Sequence, residues 1–212
     1  MMSRPLRTAR LAAAILALTS LALTTACSLT RSAPVKDSYL LDPTWPAQVA
    51  KSQPGSLRMG AVTVAAPFRG RSFVVRDSEL RYETDFYHEF FVPPGVMIAD
   101  ATAQALARSK VFDVASRPGV AVDADWVLDG FVGALYGDGR NATNPVAVLQ
   151  ITYYVSRDDG GASSPVWSRT YAKRLPFTAG DTGAYVAALN AAFSEILGEL
   201  TRDLAAISLP AQ

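Results

Sequence analysis

Residues 71–112 read RSFVVRDSELRYETDFYHEFFVPPGVMIADATAQALARSKVF. An aromatic, charge-mixed run leads into Pro93-Pro94, and there the pattern turns helical. Ile98, Ala101, Ala105 and Leu106 fall at offsets 0, 3, 7 and 8, which places them on one helical face. Proline is tolerated in a first helical turn, where the amide hydrogens have no intrahelical acceptor. The spacing therefore predicts a helix from near Pro94 to near Lys110, with Phe112 entering a strand. Tyr82, Phe86, Tyr87, Phe90 and Phe91 are too closely spaced for one simple period to place them all. Two readings stay open for them: packing under the helix, or an exposed set of the kind that marks an interface.

Working outward, the last element has the clearest pattern. Tyr185, Ala188, Leu189, Phe193, Ile196, Leu197, Leu200, Leu204 and Ile207 recur at helical spacing, an amphipathic helix of about six turns. Asp181 or Thr182 stands where a side-chain oxygen caps the free amides of the first turn. Core packing explains this stripe, since the polar face is not rich in Lys or Arg as a membrane-lying helix would be. Between the two helices, Val111–Ala115 and Asp125–Tyr136 read as strands. Residues 137–145 read as a loop by composition. Val146–Arg157 alternates apolar and polar, and Val166–Leu175 returns after Asp158-Asp159-Gly160-Gly161 as a more polar strand, giving an antiparallel hairpin with an edge. Before the central stretch, LRMGAVTVAAPF from Leu57 is a strand with little polar alternation, as expected for one covered on both faces. The elements add up to an α/β sandwich with a mixed sheet.

The 212 residues suit one ordinary domain with a tail. The chain opens with a basic segment (Arg4, Arg7, Arg10) and the apolar run LAAAILALTSLALTTA, too short for a membrane span and typical of a secretory signal. Removing those three arginines from the 20 basic residues leaves 17 against 19 acidic ones, a net charge of −2. That is no footprint for nucleic acid. Cys27, the only cysteine, follows the run directly and has no partner for an internal disulfide. Thr25-Ala26-Cys27 resembles a lipobox, in which the cysteine is acylated and becomes the new N-terminus; Leu23 stands one place earlier than usual. Ordinary cleavage after Ala26 is the other reading. Acylation at Cys27 would hold the protein on a membrane, each buried methylene contributing about 0.8 kcal/mol. Residues 28–56 are rich in Ser, Thr, Pro and Lys and read as a tether, apart from Tyr39-Leu40-Leu41-Asp42-Pro43, a short apolar patch able to add a strand. The expected boundaries are a signal peptide at 1–26, a lipidated tether at 27–56 and a folded domain at 57–212.

Chemistry-bearing motifs are sparse. His88 is the only histidine, and no GxSxG or comparable motif surrounds it. One histidine and a cysteine committed to lipid make a poor metal ligand set. Asp123, Asp125 and Asp129 read as loop and strand-end carboxylates. Gly137-Asp138-Gly139 lacks the helix that a phosphate cradle requires. Glu83, Asp85, Glu89, Arg76 and Arg81 form a mixed-charge set, either a solvated surface or a docking rim. The sequence thus gives no catalytic residue, no metal site and no cofactor.

Taken in order, the lipobox, Tyr39-Leu40-Leu41-Asp42-Pro43, Val62-x-Val64-x-x-Pro67, Val74-Val75-Arg76, the Tyr82–Phe91 run and Phe112-Asp113-Val114 resemble the ABC-type transport auxiliary lipoproteins, the PqiC-like proteins. Phe90-Phe91-Val92-Pro93 stands where that family commonly has a tryptophan. The resemblance implies a three-layer α/β/α sandwich with a mixed sheet, like the N-terminal domain of TolB. It implies a non-enzymatic lipoprotein on the periplasmic face of the outer membrane, a sorting to which Ser28 after the cysteine also points. It implies partners as well: an MCE-domain protein and an ABC permease that together move phospholipid or other hydrophobic molecules between membranes, with homo-oligomerisation an option. Arg76, Tyr82, Tyr87, Phe90 and Phe91 are then the candidates for partner binding. Two other readings stand beside it: a structural or regulatory lipoprotein acting on a cell-wall synthase, and a lipid-anchored hydrolase built on His88.

Overall fold

The computed structural model describes residues 35–50, 52–119, 123–159 and 165–209. The signal segment and Cys27 lie outside them. Eight strands form one sheet: β1 (Asp37–Tyr39), β2 (Gln53–Val64), β3 (Ser72–Arg76), β4 (Tyr82–Phe90), β5 (Phe112–Ser116), β6 (Trp126–Asp138), β7 (Val146–Arg157) and β8 (Trp167–Pro176). Helix α1 (Pro94–Ser109) follows β4, and α2 (Thr182–Ala206) closes the described chain.

The long strand β6 organises the sheet. On one side it pairs antiparallel with β7 from Trp126 to Asp138, and β7 in turn carries the edge strand β8. Its other side is divided. The first half, Trp126 to Val132, takes β2 in parallel, with β5 parallel beyond it. Gly137 and Asp138 take β3 in parallel, with β4 antiparallel to β3 and β1 parallel to β4 at the edge. The aromatic run expected only as an irregular segment is thus strand β4, half of a hairpin wing on the upper half of β6.

The mixed sheet and the α/β class are as expected. Tyr153 on β7 is two residues from Ile151, and Ile151 lies directly opposite Tyr171 on β8, so the three side chains point to one face. Thr102 of α1 bonds the Tyr153 hydroxyl at 2.8 Å, and the Tyr171 hydroxyl donates to Asp203 of α2 at 2.6 Å. Both helices therefore lie on the same face of the sheet. The other face stays half wet, as antiparallel sheets allow: Thr152 and Thr170 pair hydroxyl to hydroxyl at 2.8 Å on an exposed surface. Among the described residues a patch of it is closed where Phe68 of a short 3-10 turn stacks on Tyr136 at 5.6 Å.

That geometry also corrects the reading of β2, which begins at Gln53 and is covered on one face only. Leu57 and Met59 are buried, while Arg58 between them points out and pairs with Asp158 at 2.9 Å. Gly60 within it has a local cause, because a Cβ there would collide with Asp129 Oδ1. That carboxylate fills a register shift in the ladder and accepts from the Ala61 amide at 2.9 Å. Gly95 has a similar reason: a Cβ there would meet the Val62 carbonyl at 2.6 Å, so its absence lets the start of α1 sit down on β2.

Residues 36–50, read from sequence as mostly tether, lie on the domain. Tyr39 pairs with Phe90 in the sheet. The next residues run as a strap over both helices. The Asp42 amide donates to Asn190 of α2 at 2.8 Å and the Thr44 amide to Ser194 at 2.9 Å. Arg108 of α1 lies over the Trp45 ring at 4.7 Å, and the Val49 amide donates to the Ser109 carbonyl. Leu41 is buried beneath this strap.

Helix α2 is capped as its sequence implied, Asp181 accepting from the Ala184 amide at 2.9 Å. Leu189, Phe193, Ile196, Leu197, Leu200 and Leu204 are fully buried, each contributing about 1.5–3 kcal/mol through removal from water. Between α1 and β7 sits a polar pair inside the apolar core. Thr102 donates its one hydroxyl proton to the Ile98 carbonyl at 2.7 Å, so the Tyr153 hydroxyl must donate to Thr102. The two partners should then respond unequally to substitution. Thr102→Val strands a buried phenol and should cost about 1–3 kcal/mol, whereas Tyr153→Phe leaves Thr102 satisfied and should cost about 1 kcal/mol. Urea unfolding of the two variants would show the order; equal losses would contradict this donor assignment.

Candidate functional site

The exposed aromatics trace to one irregularity in the hairpin wing. Ser72 of β3 pairs with Glu89, yet Val74 pairs with Thr84, so β4 holds surplus residues at 85–88. Asp85 shapes this bulge. Its Oδ1 accepts from the amides of Tyr87 at 2.7 Å and His88 at 3.1 Å, an Asx-type turn that competes with the ladder. Its Oδ2 meets His88 Nδ1 at 2.7 Å. Burial works to raise the Asp85 carboxyl, but the His88 ring and the two amides outweigh it and hold the carboxyl below its usual range. The bulge turns Phe86 and Tyr87 outward, 59% and 57% exposed, edge to face at 5.3 Å. Lys36, just before β1, places its ammonium 5.3 Å from the Phe86 ring centre and 3.2 Å from Glu89 Oε2.

The five candidate residues separate. Tyr87 is exposed on the bulge. Phe91, 60% exposed, follows β4, its amide donating to the Tyr39 carbonyl at 2.8 Å. Tyr82 is half-covered, its ring edge-on to Tyr136 at 5.5 Å. Phe90 is a correction to the partner-binding set: it is buried against Phe73 at 4.6 Å and presents no surface. Arg76 is largely committed, bonding Ser78, Glu79 and the Tyr82 ring, and so shapes the turn between β3 and β4. Exposed Leu80 stands on that turn. Of the mixed-charge set, Arg71 and Lys36 both pair with Glu89, and Arg81 pairs with Glu83 and Asp77.

Behind the bulge, a cleft of about 140 Å³ is walled by Phe73, Val75, Phe177 and Tyr185, with Asp85 and the capping Asp181 at its edge. The Tyr185 hydroxyl is buried with no hydrogen-bond partner among the described residues, and burial raises its pKa. A second apolar patch lies on the flank of the domain, where exposed Leu40 and Val96 border a groove between the strap and α1.

The aspartates outside the bulge have structural duties. Asp125 accepts from the Ser56 amide at 2.6 Å and its hydroxyl at 2.9 Å, and Asp129 fills the β2 irregularity. Asp138 is nearly inaccessible and receives Arg140 at 2.8 Å and Arg174 at 2.7 Å. Bonds from Arg140, then Arg174, hold its carboxyl far below the usual carboxylate range despite burial. Among the described residues, no three His, Cys, Asp or Glu side chains converge to hold a metal ion. No described helix is long and apolar enough to cross a membrane.

A family model described as an ABC-type transport auxiliary lipoprotein component matches residues 39–201. A Xanthomonas campestris crystal structure from the family DUF330 shares the fold with a TM-score of 0.67 and 19% identity, over 77% of this chain and 92% of that one. A second crystal structure, of an uncharacterized protein, aligns with a TM-score of 0.60 and 16% identity, over 80% of this chain and 99% of that one. No curated protein matches the sequence.

The depressed Asp138 carboxyl carries a pH consequence. A group with a lowered folded pKa stabilises the fold above its unfolded value, about 4, and that contribution is lost as pH falls through the folded value. The melting temperature of the wild type should drop as pH is lowered below about 4, and Asp138→Asn should show a shallower drop from a lower starting point. Parallel profiles would contradict the assignment.

Proposed function

Because the chain belongs to the family of ABC-type transport auxiliary lipoprotein components, we propose that it is the anchored docking subunit of an MCE-type ABC transporter that moves phospholipid or other hydrophobic molecules between membranes. The single observation that carries this reading is the family match across nearly all of the folded domain. In this reading Cys27 is acylated, the protein sits on the periplasmic face of the outer membrane, and its role is non-enzymatic. It grips an MCE-domain protein and, through it, the ABC permease, either alone or as a homo-oligomer.

The flank supplies a surface for that grip. Phe91, Leu40 and Val96 are each more than half exposed, and all three lie along the β1 edge and the start of α1. Exposed apolar side chains clustered in this way mark association sites, and aromatic residues carry a disproportionate share of binding energy.

Two outcomes are expected. Cys27→Ala should pass from the membrane pellet to the soluble fraction after a carbonate wash; equal membrane recovery with wild type would defeat the anchor. Phe91→Ala should weaken capture of the MCE partner by roughly tenfold, a loss of about 1.4 kcal/mol, with its melting temperature nearly unchanged. A matching fall in both would make Phe91 a packing residue instead.

A further inference from the structure

Cys27 stands nine residues before Lys36, and Lys36 meets the exposed aromatics of β4. Only residues 28–35 lie between Cys27 and Lys36, and the compact unit starts at Lys36. Fully extended, that link spans at most about 30 Å, far less than a tether reaching to Leu57 would. The place where the described chain begins is set as well. Strand β1 runs parallel to β4, with Asp37 beside His88. The residues before Asp37 therefore leave the domain alongside the residues before His88, toward Phe86 and the turn that carries Leu80. Lys36 already lies over the Phe86 ring at 5.3 Å.

We infer that this end of the domain, led by Phe86 and Tyr87 with Leu80 on the turn beyond them, rests on the bilayer that holds the chain's own lipid anchor. This goes beyond the docking role and rests on one part of it, acylation at Cys27. Three observations favour a bilayer over another protein as the occupant. Leu80 is 92% exposed on the turn between β3 and β4, at the same end of the wing as the bulge. A phenylalanine beside a tyrosine, one ring apolar and the other carrying a polar tip, is the chemistry that settles at a membrane–water boundary. Charge around the edge leans acidic, Lys36, Arg71, Arg76 and Arg81 standing against Asp37, Asp77, Glu79, Glu83, Asp85 and Glu89. Contact should therefore depend on apolar insertion into a neutral surface rather than on attraction to anionic headgroups.

The geometry makes the contact cooperative with the anchor. A weak apolar contact becomes effective when a short link holds it near its surface, because the second event is then intramolecular. The same contact orients the domain. The opposite end of the sheet, with the start of β5, faces away from the membrane, and the Phe91 flank stands to the side, open to a partner.

The test uses the full acylated chain in phosphatidylcholine vesicles, with tryptophan placed at Tyr87 or Phe86 and, as a control, at Val114. Val114 is 51% exposed on β5, at the far end of the sheet by strand register. With brominated phosphatidylcholine as quencher, the added emission of Tyr87→Trp and Phe86→Trp should be roughly halved, as for side chains held at the acyl boundary. Emission from Val114→Trp should be unaffected, and 0.5 M salt should change nothing. Two substituted positions guard against one variant failing to fold. If the protein floats with the vesicles but neither position is quenched, the inference fails while the anchor stands. If quenching disappears in salt, or is equal at Val114, the inference also fails. If the protein does not float at all, anchor and inference fall together. Shielding of the aromatics by a second copy would show as absent quenching with a larger sedimenting species, and would equally overturn the proposal.

Discussion

Everything in this domain hangs on the divided edge of one strand. β6 gives its whole length to β7 on one side, but on the other it gives its first half to β2 and its last two residues to β3. A backbone edge has one row of donors and acceptors, and each must be satisfied. Splitting that row between two strands creates two sub-sheets from a single ladder. The lower one, β2 with β5, is covered by α1. The upper one, β3 with β4 and β1, becomes a wing, and every exposed aromatic residue of the central stretch is on it or follows it.

The helices add the energy. Both lie on one face, and their apolar stripes close over Leu149, Ile151, Tyr153 and Val155 of β7, all fully buried. The strap then closes the outer side of the helix pair through two side-chain acceptors on α2 and the Arg108 contact with Trp45. A chain that enters through β1 and crosses the helices before starting β2 ties its N-terminal entry point to the core. Only residues 28–35 then stand between Cys27 and the domain, and if Cys27 is acylated as proposed, so short a link restricts which end of the domain a bilayer can meet.

The strongly periodic parts were legible in the sequence. The stripe from Tyr185 to Leu204 and the alternation from Val146 to Val155 fixed α2 and β7, because period 3.6 and period 2 are direct images of burial on one face. The β7–β8 hairpin followed from Asp158-Asp159-Gly160-Gly161 between them. The wing was not legible, for a physical reason. Asp85 diverts two amides of β4 from the ladder, so the alternation breaks in mid-strand and Tyr82–Phe90 shows no period. An Asp placed two and three residues before the amides it captures is the only local sign of the bulge. The strap was equally hidden, because it buries little beyond Leu41 and Pro43 and its contacts are backbone amides reaching side chains of α2. Phe90 and Phe91 show how little composition says here: adjacent and chemically identical, one is packed on Phe73 and the other faces water.

The central claim is that this chain works by holding a transport machine at a membrane rather than by transforming a substrate. Purification of the natively acylated wild-type chain from its own membranes, with mass spectrometry of everything recovered, addresses it most directly. The account predicts that an MCE-domain protein and an ABC permease come with it in near-fixed proportion. Recovery of the chain alone, or with a cell-wall synthase and neither transporter component, would contradict it.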